Sequence, residues 1–273
     1  MSDTRFWDAR HGRILSRKGG WQIGRGIRVQ GFSLLDDLVG KHGFFELLFL
    51  HVTGKLPERR LAHWIEGSFM CLSFPDPRIW CNQVGALAGS ARCPPTAAIS
   101  AGVMASESAL YGPGATRLAC LFLLETRAAL VAGESLERFM SRRTTRAGRV
   151  RAPGFSRPIA SGDDRVEALA RLSRDLGFED GEHLQLAWRI DGWLRERGDN
   201  ALNMLGYVAA FLLDRGMDIE HGQRLYSLCV NAGVHACYAE AADEPAGAFL
   251  PLACADIEYI GVGARVLPRS VAP

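Results

Sequence analysis

The pair Gly112-Pro113 places the tightest limit on what this chain can fold into. It interrupts an Ala- and Ser-rich run, residues 102–118, that otherwise reads as continuous helix. Proline has no amide proton and drives its predecessor out of the helical region, so the chain must turn at Tyr111-Gly112-Pro113-Gly114. A second apolar helix is expected to start near Ala115. The first amides of such a helix lack intrahelical acceptors, and they suit an acyl oxygen or a carboxylate. The same residues also serve as a plain connector between two core helices, because Gly and Pro punctuate most helix junctions.

Elsewhere the pattern is helical in almost every segment. Apolar residues at helical spacing, separated by Gly and Pro breaks, predict helices over 79–90, 95–110, 118–131, 134–140, 166–176, 184–196 and 204–213, and a long one over 219–241. Two short helices are expected to meet at residues 40–43, and Thr53-Gly54-Lys55-Leu56-Pro57 stops the second before a helix through Leu61, Trp64 and Ile65. Residues 1–31, rich in Gly, Arg and Trp with short alternating stretches, suit a small hairpin or arm, and 256–266 an extended C-terminal arm. The fold class is all-α. At 273 residues the chain is long enough for a large and a small domain.

The formal charge of +2 implies no nucleic-acid surface, and no apolar run approaches the ~20 residues that span a bilayer. One local exception is the basic stretch 142–151, with five arginines and no acid. Seven scattered cysteines without a CxxC pair read as reduced thiols in a cytoplasmic protein, and the histidines form no HxxxH or HExxH spacing, so no metal site is expected. Gly24-Arg25-Gly26 lacks the preceding buried strand, the third glycine and the following helix of a dinucleotide loop. Cys93 precedes Pro94-Pro95 at a helix start, where a thiolate is favoured, although an inert buried thiol has the same surroundings. His235, beside apolar neighbours, reads either as a packed histidine or as a catalytic one.

The order of several motifs resembles the citrate synthase and citryl-CoA lyase family. Gln30-Gly31-Phe32, then Phe44-Phe45-Glu46-Leu47-Leu48-Phe49-Leu50 and Gly54-Lys55-Leu56-Pro57, is similar to the family's RGY-type segment and its helix ending in GELP. Ala109-Leu110-Tyr111-Gly112-Pro113 resembles the ALxGP before the family's HGGA. Gly154-Phe155-Ser156-Arg157-Pro158-Ile159 with Asp163-Asp164-Arg165 resembles GFGHPI and the DPR helix start. Asn203-Met204-Leu205-Gly206 resembles NIDG, and Asp256-Ile257-Glu258-Tyr259-Ile260-Gly261 also has a counterpart. The resemblance covers most of the chain in order. It implies a large helical domain from 1–119 with 203–273, a small one from 120–202, and a homodimer through helices 79–90 and 95–110.

It does not carry the family's reaction over. That chemistry joins or splits an acyl-CoA and an α-keto acid, with a base for the acyl α-proton, one His for the enol and another for the keto carbonyl. Here the first His falls at Ala115, or at Leu110 with the gap placed differently; the second falls at Arg157, the aspartate base at Leu205, and a carboxylate-binding arginine at Val230. Only Arg165 matches. A methyl or isobutyl group neither accepts a proton nor donates a hydrogen bond. Two readings result. One is a protein that has lost citrate synthase activity and still binds a carboxylate or CoA thioester, alone or beside an active paralogue. The other is an enzyme with altered chemistry on an acyl-CoA or carboxylic acid, with Ser156, Tyr111, Cys93 or His235 assisting. In both, Arg157 and Arg165 are the expected substrate contacts and Gly112, Gly114 and Arg117 the expected CoA contacts, with no covalently bound cofactor, no nucleic acid and no membrane.

Overall fold

In the computed structural model, residues 3–108, 112–156, 162–198, 201–248 and 253–267 are described, and they form a helical protein with one small sheet. After a single turn of helix, α1 (Arg5–Asp8), the chain forms an antiparallel sheet in the order β1 (Gly19–Gln22), β2 (Gly26–Val29) and β3 (Phe32–Ser33). The arm anticipated from 1–31 is therefore a three-stranded meander. A π-type turn, Leu34–Leu38, follows, capped by the Ser33 hydroxyl, which accepts from the Asp36 amide. Helix α2 (Phe44–Thr53) begins where the Glu46 carboxylate accepts from the Gly43 amide at 2.8 Å. It ends at Gly54, whose left-handed φ of 81° lets its amide close on the Leu50 carbonyl.

Helix α3 (Arg59–Leu72) buries Trp64 and Ile65 completely. The Trp64 ring stacks on Phe211 at 3.6 Å, and its indole N–H donates to the Ser173 hydroxyl. Around this pair lies one contiguous core that includes Phe122, Phe139, Phe155, Tyr207 and Tyr226. It is built by α6 (Pro113–Val131), α7 (Leu136–Ser141), α8 (Asp164–Asp175), α9 (Glu182–Arg195) and α10 (Met204–Asp214), together with α3.

The small-residue helices α4 (Trp80–Ser90) and α5 (Pro95–Ser106) pack chiefly on the C-terminal part of the chain. The expected helix over 219–241 is broken there. It forms α11 (Ile219–Leu225), a 3-10 turn at Tyr226–Leu228, and α12 (Asn231–Asp243). The break lets Tyr226 point into the core, where its hydroxyl meets the Ser68 hydroxyl at 2.6 Å, while α12 swings onto α4. A β-carbon at Gly102 would lie 2.5 Å from Val234 Cγ1, and one at Gly85 would lie 2.9 Å from the same atom. Ala98, expected at a dimer surface, is only 1% exposed within the single chain. The junction that governs α5 and α6 also differs in detail: α6 begins at Pro113 rather than near Ala115, and α5 ends by Ser106.

Gly102→Ala should therefore cost about 1–3 kcal/mol, the range for forcing extra volume into a packed contact. Gly192→Ala in α9, where an added β-carbon meets nothing within 4 Å, should instead stabilise by about 0.5–1 kcal/mol through helix propensity. Urea unfolding of the two variants beside the parent measures both.

Candidate functional site

Three motif segments converge on one buried carboxylate. Asp163 caps α8, and its side chain is fully enclosed. One oxygen accepts from Arg165 Nε at 2.7 Å; the other accepts from Arg165 Nη2 at 2.6 Å and from the Met204 amide at 2.9 Å, at the first turn of α10. Arg165 Nη1 in turn donates to the Cys71 carbonyl, and its guanidinium lies 5.6 Å from the Phe74 ring centre. A bidentate Arg–carboxylate pair of this kind holds two side chains in one geometry. Beside it, Asn203 caps α10: its Oδ1 accepts from the Gly206 amide, its Nδ2 donates to the Ser156 carbonyl at 2.5 Å, and its own amide donates to the Gly154 carbonyl at 2.9 Å. Gly154 and Gly206 meet backbone to backbone, and a β-carbon at Gly206 would sit 2.2 Å from the Gly154 oxygen.

The start of α6 approaches from the other side. Ala119 packs on Gly154, so α6, the 152–156 turn and α10 form one unit. Gly112 adopts φ 83°, and a side chain there would drive into the Ser106 carbonyl. At Gly114 an added β-carbon would lie 2.9 Å from Glu107 Oε1, so the protein's own carboxylate lies against the first turn of α6. Two residues further on, in the same turn, the buried Thr116 hydroxyl has no hydrogen-bond partner among the described residues.

The residues singled out in the sequence are distributed unevenly. Arg165 and Ser156 belong to this assembly, Ser156 through its carbonyl and with an exposed side chain. Tyr111 and Arg157 lie outside the described residues. Arg117 is exposed and pairs with Glu220 at 3.5 Å. Cys93 and His235 are engaged elsewhere: the Cys93 carbonyl accepts from the Tyr238 hydroxyl, and His235 Nδ1 lies 3.1 Å from the Asn231 carbonyl of its own helix. In the basic stretch, Arg143 pairs with Glu125 and packs over Phe122 and Phe139. Asp163 and Asn203 enter the sequence reading only as members of motifs, with no role of their own, and Glu107 does not enter it. The first two could have been given one, as capping residue types immediately before helical runs.

The buried thiols Cys81, Cys120 and Cys229 are poor nucleophiles. Burial pushes Cys81 up to about 11 and Cys120 and Cys229 up to about 12. Burial also raises Cys71, with Arg165 opposing it. Among the described residues no cluster of His, Cys, Asp and Glu could hold a metal ion. An apolar groove of about 470 Å³, lined by Phe45, Phe69, Phe74, Leu228 and Asn231 among others, opens between α2, α3 and the start of α12.

No protein-family model matches the sequence, and no curated protein matches it. Solved structures do. The citryl-CoA lyase of Hydrogenobacter thermophilus superposes with a TM-score of 0.76 at 26% identity, over 94% of this chain and 98% of that one. The fold is that of citryl-CoA lyase and citrate synthase. With the same fold, a mutant ATP citrate lyase of Methanosaeta concilii, solved with (3S)-citryl-CoA, gives 0.73 at 17% identity over 96% of this chain. This chain spans only 44% of that protein's length. Thermoplasma acidophilum citrate synthase gives 0.63 at 15% identity, over 82% of this chain and 58% of its own. The all-α expectation is thus met.

Two outcomes are expected. Asp163→Ala leaves Arg165 without its carboxylate and the Met204 amide without its acceptor, and should cost about 3 kcal/mol, as for breaking a buried pair; Asp163→Ala/Arg165→Ala should recover part of that loss in a double-mutant cycle. The raised thiols give the second outcome. The folded state holds those protons more tightly than the unfolded chain, so their contribution is complete below the ordinary thiol value near 9 and is lost as pH climbs toward about 12. Thermal melts between pH 8 and 11 should show a falling midpoint.

Proposed function

We propose that this protein is a divergent member of the citrate synthase and citryl-CoA lyase family that no longer carries out the family's condensation or cleavage and binds a carboxylate or a CoA thioester. The observation that carries this reading is the character of the aligned positions. Leu205 packs against the core at the start of α10, Val230 is 2% exposed, and Ala115 sits in the first turn of α6. None of the three can move a proton or hold an oxyanion. Losing several such groups leaves little beyond binding.

In this reading Arg157 supplies the principal anion contact. Arg165, also expected to bind substrate, is already paired with Asp163, so its part is chiefly to fix the shape of the site. Gly112, Gly114 and Arg117 are the proposed CoA contacts, and CoA has to compete there with Glu107. The relatives solved with (3S)-citryl-CoA or with citrate and coenzyme A lend the ligand class its support. The two-domain division, 1–119 with 203–273 and 120–202, belongs to the same proposal, with α6 shared between the two parts. A homodimer would cover the exposed Leu87 and Met104 on α4 and α5. No described helix is long and apolar enough to cross a membrane. The unpaired thiols fit a reducing, cytoplasmic setting.

Thiol release from acetyl-CoA with oxaloacetate, and cleavage of citryl-CoA, should not exceed a heat-killed control; turnover of either would overturn the proposal. Calorimetry with acetyl-CoA, citrate and oxaloacetate should detect at least one ligand. Arg157→Ala should weaken that ligand by about 2 kcal/mol, the range for a charged hydrogen bond. Heat from none of them would reduce the protein to a scaffold.

A further inference from the structure

Positive charge is concentrated at one end of this chain. Residues 3–31 hold seven Lys and Arg against two acids, a surplus larger than the +2 of the whole protein. Both acids are engaged locally: Asp3 pairs with Arg5, and Asp8 accepts from the Thr4 hydroxyl. Arg10 lies over the Phe6 ring, and Lys18 donates to the His51 and Val52 carbonyls at the end of α2. Arg13, Arg17, Arg25 and Arg28 are exposed, and no described acid pairs with them.

The same segment exposes apolar side chains. Phe6, Trp7, Ile14, Leu15, Trp21 and Ile23 are each more than half exposed, with Ile14 at 100% and Ile23 at 90%. Scattered singly, such residues are ordinary; gathered in one short arginine-rich segment, they mark an interaction surface. The hairpin holds its share of them in a fixed shape. Gln22 pairs with Gly26, which leaves Ile23-Gly24-Arg25 as the loop, and the Arg25 amide closes on the Gln22 carbonyl at 2.9 Å. Ile23 and Arg25 therefore stand at the tip, with Trp21 on the strand behind them. At the other end of the strands Val29 is buried with Leu38 and Leu50, and Lys18 is tied to α2, so the hairpin is fastened to the body of the protein.

We propose that this hairpin tip and the arginines around it form a seat for an anionic membrane surface, on which the protein lies without crossing it. The side-chain types select a bilayer over another polyanion. Nucleic-acid phosphates would satisfy the guanidiniums, and bases would stack on the rings, but phosphate contact and stacking leave Ile14, Leu15 and Ile23 in water. A bilayer interface takes all of them. Aliphatic and Trp side chains enter the boundary between headgroups and acyl chains, while the arginines stay beside lipid phosphates. The near-neutral total charge conceals this patch, which is why composition alone implied no membrane. Lying on a surface also requires no spanning helix, and none is found among the described residues.

The test sediments full-length protein with vesicles of phosphatidylcholine alone or mixed with phosphatidylglycerol. Pelleting with the anionic vesicles only, weakened by added salt as the attraction is screened, is the expected result. Arg13→Gln and Arg25→Gln should each weaken binding about five-fold. Ile23→Ser should weaken it by a similar factor, with an unchanged melting midpoint because the side chain touches little of the fold. Lipids brominated in the acyl chain should quench tryptophan fluorescence, and Trp21→Phe should reduce that quenching while keeping most of the binding. Equal pelleting with neutral vesicles, no pelleting at all, or full binding by the Ile23 variant would overturn the proposal. So would duplex DNA bound more tightly than vesicles and unaffected by Ile23→Ser, which would assign the arginines to nucleic acid, or self-association lost in that variant without any vesicle binding, which would assign the tip to a second copy.

Discussion

A buried carboxylate cannot stand alone, and much of this molecule's central architecture follows from how Asp163 is satisfied. Its oxygens receive a guanidinium fork and the first amide of α10, so one side chain joins the start of α8, the start of α10 and, through Arg165, the end of α3. Each of those helix ends would otherwise present unmet polar groups. The Gly154–Gly206 contact closes the same unit from beside it, and Asn203 ties the two together. Removing charge here would loosen three elements at once.

The electrostatic character of the site is accordingly self-contained. Arg165 faces its own Asp163, Arg117 faces Glu220, and Glu107 lies against the α6 start. In this chain, internal acids already occupy the described partners. Leu205 and Val230 pack in the core beside them.

Much of the fold was legible in the sequence because helical periodicity and Gly/Pro punctuation are local signals. Gly54 and Pro113 mark their helix boundaries in the residues themselves. The break between α11 and α12 was not legible: residues 219–241 contain no proline, and the contact that Tyr226 makes at the break is with Ser68, 158 positions away. The Asp163 assembly was half legible. The resemblance drew attention to Arg165, but nothing local indicates that its nearest acid lies two residues back and takes up its fork. Likewise the small residues of α4 and α5 announce close helix contact without naming the partner, which proved to be α12 of the same chain for Gly85, Gly89 and Gly102.

That last contact bears on how the sequence can drift. One methyl of Val234 fills the space that side chains at both Gly85 and Gly102 would need. A larger residue at either glycine needs position 234 to shrink, and at Gly102 the Cys81 carbonyl, 2.9 Å from an added β-carbon, must give as well; a shrunken 234 opens a void that favours enlargement opposite. The three sites are bound into a single unit of inheritance. Among homologues they should change together and in that order, leaving a covariation signal on α4, α5 and α12 that has nothing to do with catalysis.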